Sequence, residues 1–275
     1  MGGGFVLSRK DRNFAGMNTP MLRVSQLTTG YAAGRRTKIV AADLTATLQA
    51  GTVTALVGKN GTGKSTLLRT LVALQPALGG EVEWGGRPLT SYSARQLARE
   101  VSIVLTARVD TKALTAREVV AMGRMPYTGF GGRLSLADRE IAAEALALTG
   151  VASLADREVG SLSDGERQRV MIAKALAQQT PAILLDEPTA FLDFPGKVAI
   201  LRLLCDLAEK HGKTILLSTH DLELTFQIVQ RLWLLSSEGI AEGSPRRLAE
   251  NGCIGRFFHT EGVRFNVPSL RFEME

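Results

Sequence analysis

Two cysteines in 275 residues, Cys205 and Cys253, are too few and too far apart for a disulfide framework or a metal-ligand cluster, and they suit a reducing compartment. Aromatic residues are scarce at 5%, and no apolar run approaches the roughly 18 residues that a membrane span needs. Any work at a membrane therefore depends on another chain that crosses it. Internal repeats, low-complexity tracts and sustained heptads are missing as well, which excludes a solenoid and a coiled-coil arm. A basic excess is missing from most of the chain. Arg9, Lys10, Arg12, Arg23, Arg35, Arg36 and Lys38, set against Asp11 alone, account for the whole formal charge of +6, so residues 41–275 are formally neutral. Such a body lacks the net positive charge that drives binding to a nucleic-acid backbone. The Gly-rich stretch 1–20 shows no signal-peptide pattern, and Val6 stands where myristoylation wants Ser or Thr; it is expected to be a disordered, solvated tail.

What the chain has is 45% hydrophobic side chains, enough to bury a large core as one α/β domain. Strand signals at 22–27, 53–57, 101–105, 182–185, 215–218 and 232–235 alternate with helical patterns, as in a parallel sheet covered by helices. The rhythm breaks at about 107–160, where 117–122 and 137–148 read as helices and no strand is evident. That stretch is expected to be a helical subdomain inserted in the α/β core. Cys205 falls within an apolar helical pattern, while Trp233 and Phe265 read as packing aromatics.

The first candidate site is Gly58-Lys59-Asn60-Gly61-Thr62-Gly63-Lys64-Ser65, which follows the apolar run 53–57 and precedes the helical pattern Leu67, Leu68, Leu71, Val72. A strand feeding G-x-x-x-x-G-K-[ST] is a phosphate trap. The glycines let backbone N–H groups converge on phosphate oxygens, and the helix opening near Ser65 and Thr66 adds its N-terminal dipole. Lys64 is placed to reach the β- and γ-phosphates, with the Ser65 hydroxyl on Mg²⁺.

The second is Ala182-Ile183-Leu184-Leu185-Asp186-Glu187-Pro188. Its apolar part reads as a buried parallel strand, and its two acids stand where open α/β sheets bind ligands. Asp186 suits Mg²⁺-bound water, and Glu187 suits the activation of a water attacking the γ-phosphate. The third is Leu162-Ser163-Asp164-Gly165-Glu166, in which Ser163 and Glu166 have the spacing of a capping box; a capped helix start is also an anion site.

These motifs in this order, over nearly the whole of 21–245, resemble the nucleotide-binding subunit of ATP-binding cassette (ABC) transporters. The resemblance implies a P-loop NTPase core with a mostly parallel sheet, an N-terminal antiparallel β region, the inserted helical subdomain, and a C-terminal extension, 246–275, packed on the same domain. Residue by residue, it implies that Tyr31 stacks on adenine and that Ser163, Gly165 and Glu166 form the signature acting on ATP held by a second cassette. Asp193, in Phe191-Leu192-Asp193, belongs to the loop joining the two sites of a head-to-tail homodimer. His220 becomes the switch histidine at the γ-phosphate, whereas His211 and His259 match nothing and are expected on the surface. Two departures stand out: Thr106 occupies the place of a glutamine that normally touches Mg²⁺, and Asp164 that of a frequent glycine. A threonine hydroxyl can still hold a metal-bound water, so Thr106 is retained as a metal candidate beside Ser65 and Asp186.

Gly123-Arg124-Met125-Pro126-Tyr127, followed by Leu134-Ser135-x-x-Asp138-x-Glu140, resembles the ATPases of metal-chelate importers, which energise uptake of ferric siderophores, haem or cobalamin. The resemblance implies ATP and Mg²⁺ as cofactors, and a peripheral position on the cytoplasmic face of the membrane. It also implies a permease docked near 106–130 and, indirectly, an external substrate-binding protein, with no nucleic acid among the partners. A soluble cassette ATPase acting on ribosomes or DNA fits less well, since the chain has one phosphate loop and no heptads. A non-hydrolysing regulatory cassette has only Thr106 in its favour, against Lys64, Asp186, Glu187 and His220.

Overall fold

The computed structural model describes residues 20–34, 36–106, 113–129, 131–259 and 261–274. The expected tail, apart from residue 20, and the start of the expected helical insertion lie outside the described residues. In chain order the elements are β1 (Leu22–Ala33), β2 (Arg36–Leu48), β3 (Val53–Val57), α1 (Lys64–Leu71), β4 (Gly79–Trp84), β5 (Arg87–Pro88), α2 (Ala94–Leu97) and β6 (Val101–Val104). Then follow α3 (Ala116–Ala121), a 3₁₀ segment (Met122–Tyr127), α4 (Leu136–Leu148), α5 (Asp164–Ala177), β7 (Ala182–Leu185), α6 (Phe194–His211), β8 (Thr214–Ser218) and α7 (Leu222–Ile228). The chain continues with β9 (Arg231–Ser236), β10 (Gly239–Gly243), α8 (Pro245–Glu250), α9 (Cys253–Phe257), β11 (Val263–Asn266) and β12 (Arg271–Met274).

Six strands form the central sheet in the order β10-β9-β3-β8-β7-β6, all pairs parallel except β10 with β9. Every residue of β3, β7 and β8 is buried, because α5 and α6 cover one face and α1 with the antiparallel strands covers the other; each fully buried Leu or Val contributes about 1.5–3 kcal/mol. An antiparallel sheet, β2-β1-β4-β5, packs on one side. The buried Trp84 joins it to the helix after the phosphate loop by donating Nε1–H to the Leu71 carbonyl at 2.8 Å, while the buried Trp233 of β9 donates to the Thr47 carbonyl of β2 at 3.3 Å. The first bond ties the antiparallel sheet to α1, and the second ties it to β9, the neighbour of β3.

Between β6 and β7 the described residues are helical, with α3 and α4 packed on α5. Capping boxes start α3 (Thr115 with Glu118), α4 (Ser135 with Asp138) and α5 (Ser163 with Glu166), which fixes where each helix begins. Among the described residues no helix is long and apolar enough to cross a membrane.

Several expectations need adjustment. The first strand runs to Ala33 instead of ending at 27, with register shifts after Val24, Leu27 and Thr29 that break the alternation a pattern reading follows. Strand β6 stops at Val104, one residue short of 105. His211, expected on the surface, is half-buried and lines a small cavity with Ile141, Leu148 and Lys213 at the end of α6. His259 is exposed. Both cysteines are free and half-buried. In the C-terminal stretch the rings of Phe258, Phe265 and Phe272 cluster together, and Phe265 meets the buried Phe226 of α7 edge-on at 6.1 Å.

Candidate nucleotide site

Where β3 ends, the chain turns through Gly58 to Gly63 into α1. Gly63 caps the helix at φ 95°, and a Cβ there would lie 2.5 Å from the Val40 side chain, so only glycine closes this turn. Gly58 is buried at the strand end, whereas Asn60 and Gly61 form the exposed crest of the loop. Lys64, only 6% exposed, curls back so that Nζ donates to the carbonyls of Gly58 at 2.9 Å and Lys59 at 3.4 Å. Burial pushes its pKa below the ordinary lysine value, and the negative charges of Glu187 and Asp186 pull it back.

Those two acids sit at the carboxyl end of β7, beside the loop. Asp186 is 4% exposed, and its Oδ1 accepts hydrogen bonds from Ser65 Oγ at 2.9 Å and Ser218 Oγ at 2.8 Å. Ser218 also accepts the Glu187 N–H at 2.9 Å, pinning a backbone that stands in the left-handed region at φ 50°. His220 Nε2 lies 2.7 Å from Glu187 Oε1. Thus Ser65, Asp186, Ser218, Glu187 and His220 form one hydrogen-bonded cluster, brought together because β3, β7 and β8 are parallel and end at the same edge. Ser218 was not singled out in the sequence; its signal is its place two residues before His220, at the end of a buried strand.

Thr106 approaches from β6, but its Oγ1 donates to the Asp186 backbone carbonyl at 2.7 Å. It therefore braces the metal-candidate acid through the main chain and keeps its lone pairs available. Tyr31 reaches across from β1, its hydroxyl 3.1 Å from Thr66 Oγ1 at the start of α1 while the residue stays 48% exposed. Among the described residues no three His, Cys, Asp or Glu gather to hold a metal unaided. The hard oxygens of Ser65 and Asp186 nevertheless suit a small divalent cation that takes its other ligands from water and phosphate.

The signature residues are not part of this cluster. Ser163 donates Oγ–H to Glu166 Oε2 at 2.8 Å and accepts the Glu166 N–H, while its own N–H also meets that carboxylate at 2.9 Å. These bonds hold the Glu166 carboxyl below the usual range. A Cβ on Gly165 would come within 3.9 Å of Leu192, so the signature adjoins the loop carrying Asp193, which caps α6 by accepting the Gly196 N–H at 2.9 Å.

In the segment 123–127, a Cβ on Gly123 would lie 2.3 Å from the Lys174 carbonyl, so helix α5 passes directly against its backbone. The buried Arg124 donates to Asp138 Oδ1 at 2.9 Å, the Ala177 carbonyl at 2.7 Å and Gln179 Oε1 at 2.9 Å, and its guanidinium lies over the Tyr127 ring. Met125 is left 68% exposed.

The description of the ABC transporter family matches residues 41–190, more than half of the chain. This chain belongs to that family. The matched stretch holds the phosphate loop, the signature and both acids of this ABC cassette. The cassette is 38% identical, over 239 residues and 86% of each chain, to the ferric enterobactin transport ATP-binding protein FepC of Escherichia coli K12. It is 30% identical to a solved structure described as an inward-facing metal-chelate type ABC transporter, with a TM-score of 0.74 over 88% of this chain and 90% of that one. A dimeric ATP-binding cassette solved in a post-hydrolysis state with ADP and Pi is 27% identical, with a TM-score of 0.69 over 82% of this chain and 99% of the other.

Proposed function

We propose that this chain is the ATP-hydrolysing subunit of an importer that takes up a metal chelate, such as a ferric siderophore, haem or cobalamin, through a separate membrane permease. The observation that carries this reading is the cluster of Ser65, Asp186, Ser218, Glu187 and His220 at the mouth of the phosphate loop. Similarity to an enterobactin transport subunit and to a metal-chelate type transporter supports the chelate class. Two copies work head to tail at the cytoplasmic face of the membrane; the likeness to a dimeric cassette with ADP and Pi supports the pairing.

In this reading residues 21–245 form the cassette, about 107–160 its helical subdomain, and 246–275 an extension packed on it. ATP stacks its adenine on Tyr31, and backbone N–H groups of Gly58, Asn60, Gly61 and Gly63 wrap its phosphates together with Ser65 and Thr66 at the start of α1. Lys64 exchanges the Gly58 and Lys59 carbonyls for phosphate oxygens. Ser65 and Asp186, with Thr106 behind the latter, would hold Mg²⁺, which would supply positive charge to the phosphates. Glu187 takes the proton of a water whose oxygen attacks the γ-phosphorus, as the bond to the β–γ bridging oxygen breaks to give ADP and phosphate. His220 orients Glu187 and reaches the γ-phosphate. Ser163, Gly165 and Glu166 complete the site of the partner cassette, and the Asp193 loop joins the two. A permease docks near 106–130, where Met125 is exposed.

Magnesium-dependent ATPase assays on the purified chain test the reading. Glu187→Gln should keep ATP affinity and lower turnover by about 10²–10⁴-fold, the range for loss of a general base. Lys64→Ala should weaken ATP binding itself, since its charge faces the phosphates in the ground state as well. Wild-type turnover in Glu187→Gln would place the base elsewhere.

A further inference from the structure

Lys197 stands in the first turn of α6, four residues after Asp193. A cation there opposes the positive end of the helix dipole, so α6 itself gains nothing from it. Its partner lies outside the helix: Nζ donates to Asp221 Oδ1 at 2.7 Å. Asp221 Oδ2 accepts from Thr189 Oγ1 at 2.9 Å, and the Asp221 N–H donates to Thr219 Oγ1 at 3.0 Å. With both carboxylate oxygens and the amide engaged, Asp221 has one position, and charge-assisted bonds hold it there.

Asp221 directly follows His220, whose Nε2 is 2.7 Å from Glu187 Oε1. On the other side, the Lys197 N–H bonds the Asp193 carbonyl at 2.9 Å. A chain of contacts therefore runs from the loop at Asp193 through Lys197 and Asp221 to His220 and Glu187. The loop itself presents Phe191 and Phe194 to solvent, 76% and 68% exposed, on either side of Asp193. Two large apolar side chains exposed on either side of Asp193 suit a contact with the second cassette of the proposed dimer. Side chains 27% exposed on both partners make the ion pair a weak contributor to stability, yet it fixes the position of the residue beside His220.

We infer that Lys197 is a positioning residue that couples the loop at Asp193 to the stance of His220 over Glu187. This rests on the ATPase reading above. The Asp193 cap fixes the first turn of α6, Lys197 in that turn holds Asp221, and Asp221 keeps His220 in register with Glu187.

The test uses the purified full chain, with steady-state ATPase kinetics and equilibrium ATP binding for Lys197→Met, Lys197→Arg, Asp221→Asn and the Lys197→Met/Asp221→Asn double variant. Lys197→Met should lower kcat by about 10- to 100-fold, the effect of a small misplacement at a reacting centre, with KM and ATP affinity unchanged. Lys197→Arg should restore most of kcat, since a guanidinium donates to the same carboxylate. The double variant should be no slower than the slower single variant, because one contact is lost in either case. Wild-type kcat in Lys197→Met, a loss confined to KM, failure of arginine to rescue, or multiplied losses in the double variant would each overturn the inference. Absence of hydrolysis in the wild type would instead refute the ATPase reading, which separates the two failures.

Discussion

Ser218→Ala removes one hydroxyl from a fully buried position and should destabilise the fold by about 2–4 kcal/mol. Two losses combine. The hydrogen bond to the Asp186 carboxylate, 2.8 Å long, belongs to the charged class worth about 1.5–3 kcal/mol. The Glu187 N–H, which now donates to Ser218 at 2.9 Å, is left without that partner, at a cost of about 1–3 kcal/mol if no water replaces it. Because Ser65 still donates to Asp186, the acid keeps one of its two side-chain donors, and the sum falls below the two maxima. For a chain of this size a loss of that order lowers Tm by roughly 5–10 °C. Calorimetry together with urea unfolding at constant m-value reads it. The same change frees the left-handed backbone at Glu187, so turnover should fall more than ATP affinity. A Tm within about 1 °C of wild type would refute the claim that Ser218 holds the two acids in place.

Thr106→Val removes the donor to the Asp186 carbonyl, and should raise the Mg²⁺ concentration needed for half-maximal hydrolysis by about tenfold, as changes behind a metal ligand do; superimposable Mg²⁺ titrations would reduce Thr106 to a strand-end residue. Lys213 is 6% exposed, and burial pushes its pKa down to about 8 from 10.5. Between those two values the unfolded chain binds more protons than the folded one, so stability should rise with pH from about 8 to 10.5, by about 3 kcal/mol in total, and stay level below that window. The difference between wild type and Lys213→Met in urea unfolding across this range isolates the effect, and parallel curves would exclude it.

The strands that position the nucleotide site were legible because they are buried on both faces and read as short apolar runs: β3 and β7 match their sequence limits, β8 begins one residue earlier, and β9 extends one residue further at each end. Helix starts were legible where a capping residue stands three places before its acid, as at Ser163. The antiparallel strands were harder. Strand β2 has its first four residues exposed, and β1 crosses several register shifts, so neither keeps one alternation long enough to read. Ser218 was missed for another reason: its role comes from two partners contributed by a different strand, 31 and 32 residues away in sequence. Thr106 was legible by position. Position suggested a hydroxyl that holds a metal-bound water; the geometry adds that its proton goes to the Asp186 main-chain carbonyl, which leaves its lone pairs for that water.

The segment Gly123-Arg124-Met125-Pro126-Tyr127 shows how a short motif and a distant one form a single device. Arg124 is 4% exposed, and a buried guanidinium is tolerated only where its donors are matched. The acceptors come from three places: Asp138 in the first turn of α4, the Ala177 carbonyl at the end of α5, and Gln179 beyond it. Hydrogen bonds from Ser135 and then from Arg124 keep the Asp138 carboxyl below the usual range, so its charge is available to the arginine at neutral pH. Tyr127 adds a bond from its hydroxyl to the Gln178 carbonyl, and Arg95 and Arg99 hold the Pro126 carbonyl from the side of α2. Every member of the segment except Met125 is thus tied down by its neighbours. Two helices and a 3₁₀ turn are fastened into one platform, and the single side chain it leaves in solvent is a flexible apolar one. A rigid base carrying an adaptable apolar contact is what the proposed permease needs in order to feel the cassette move.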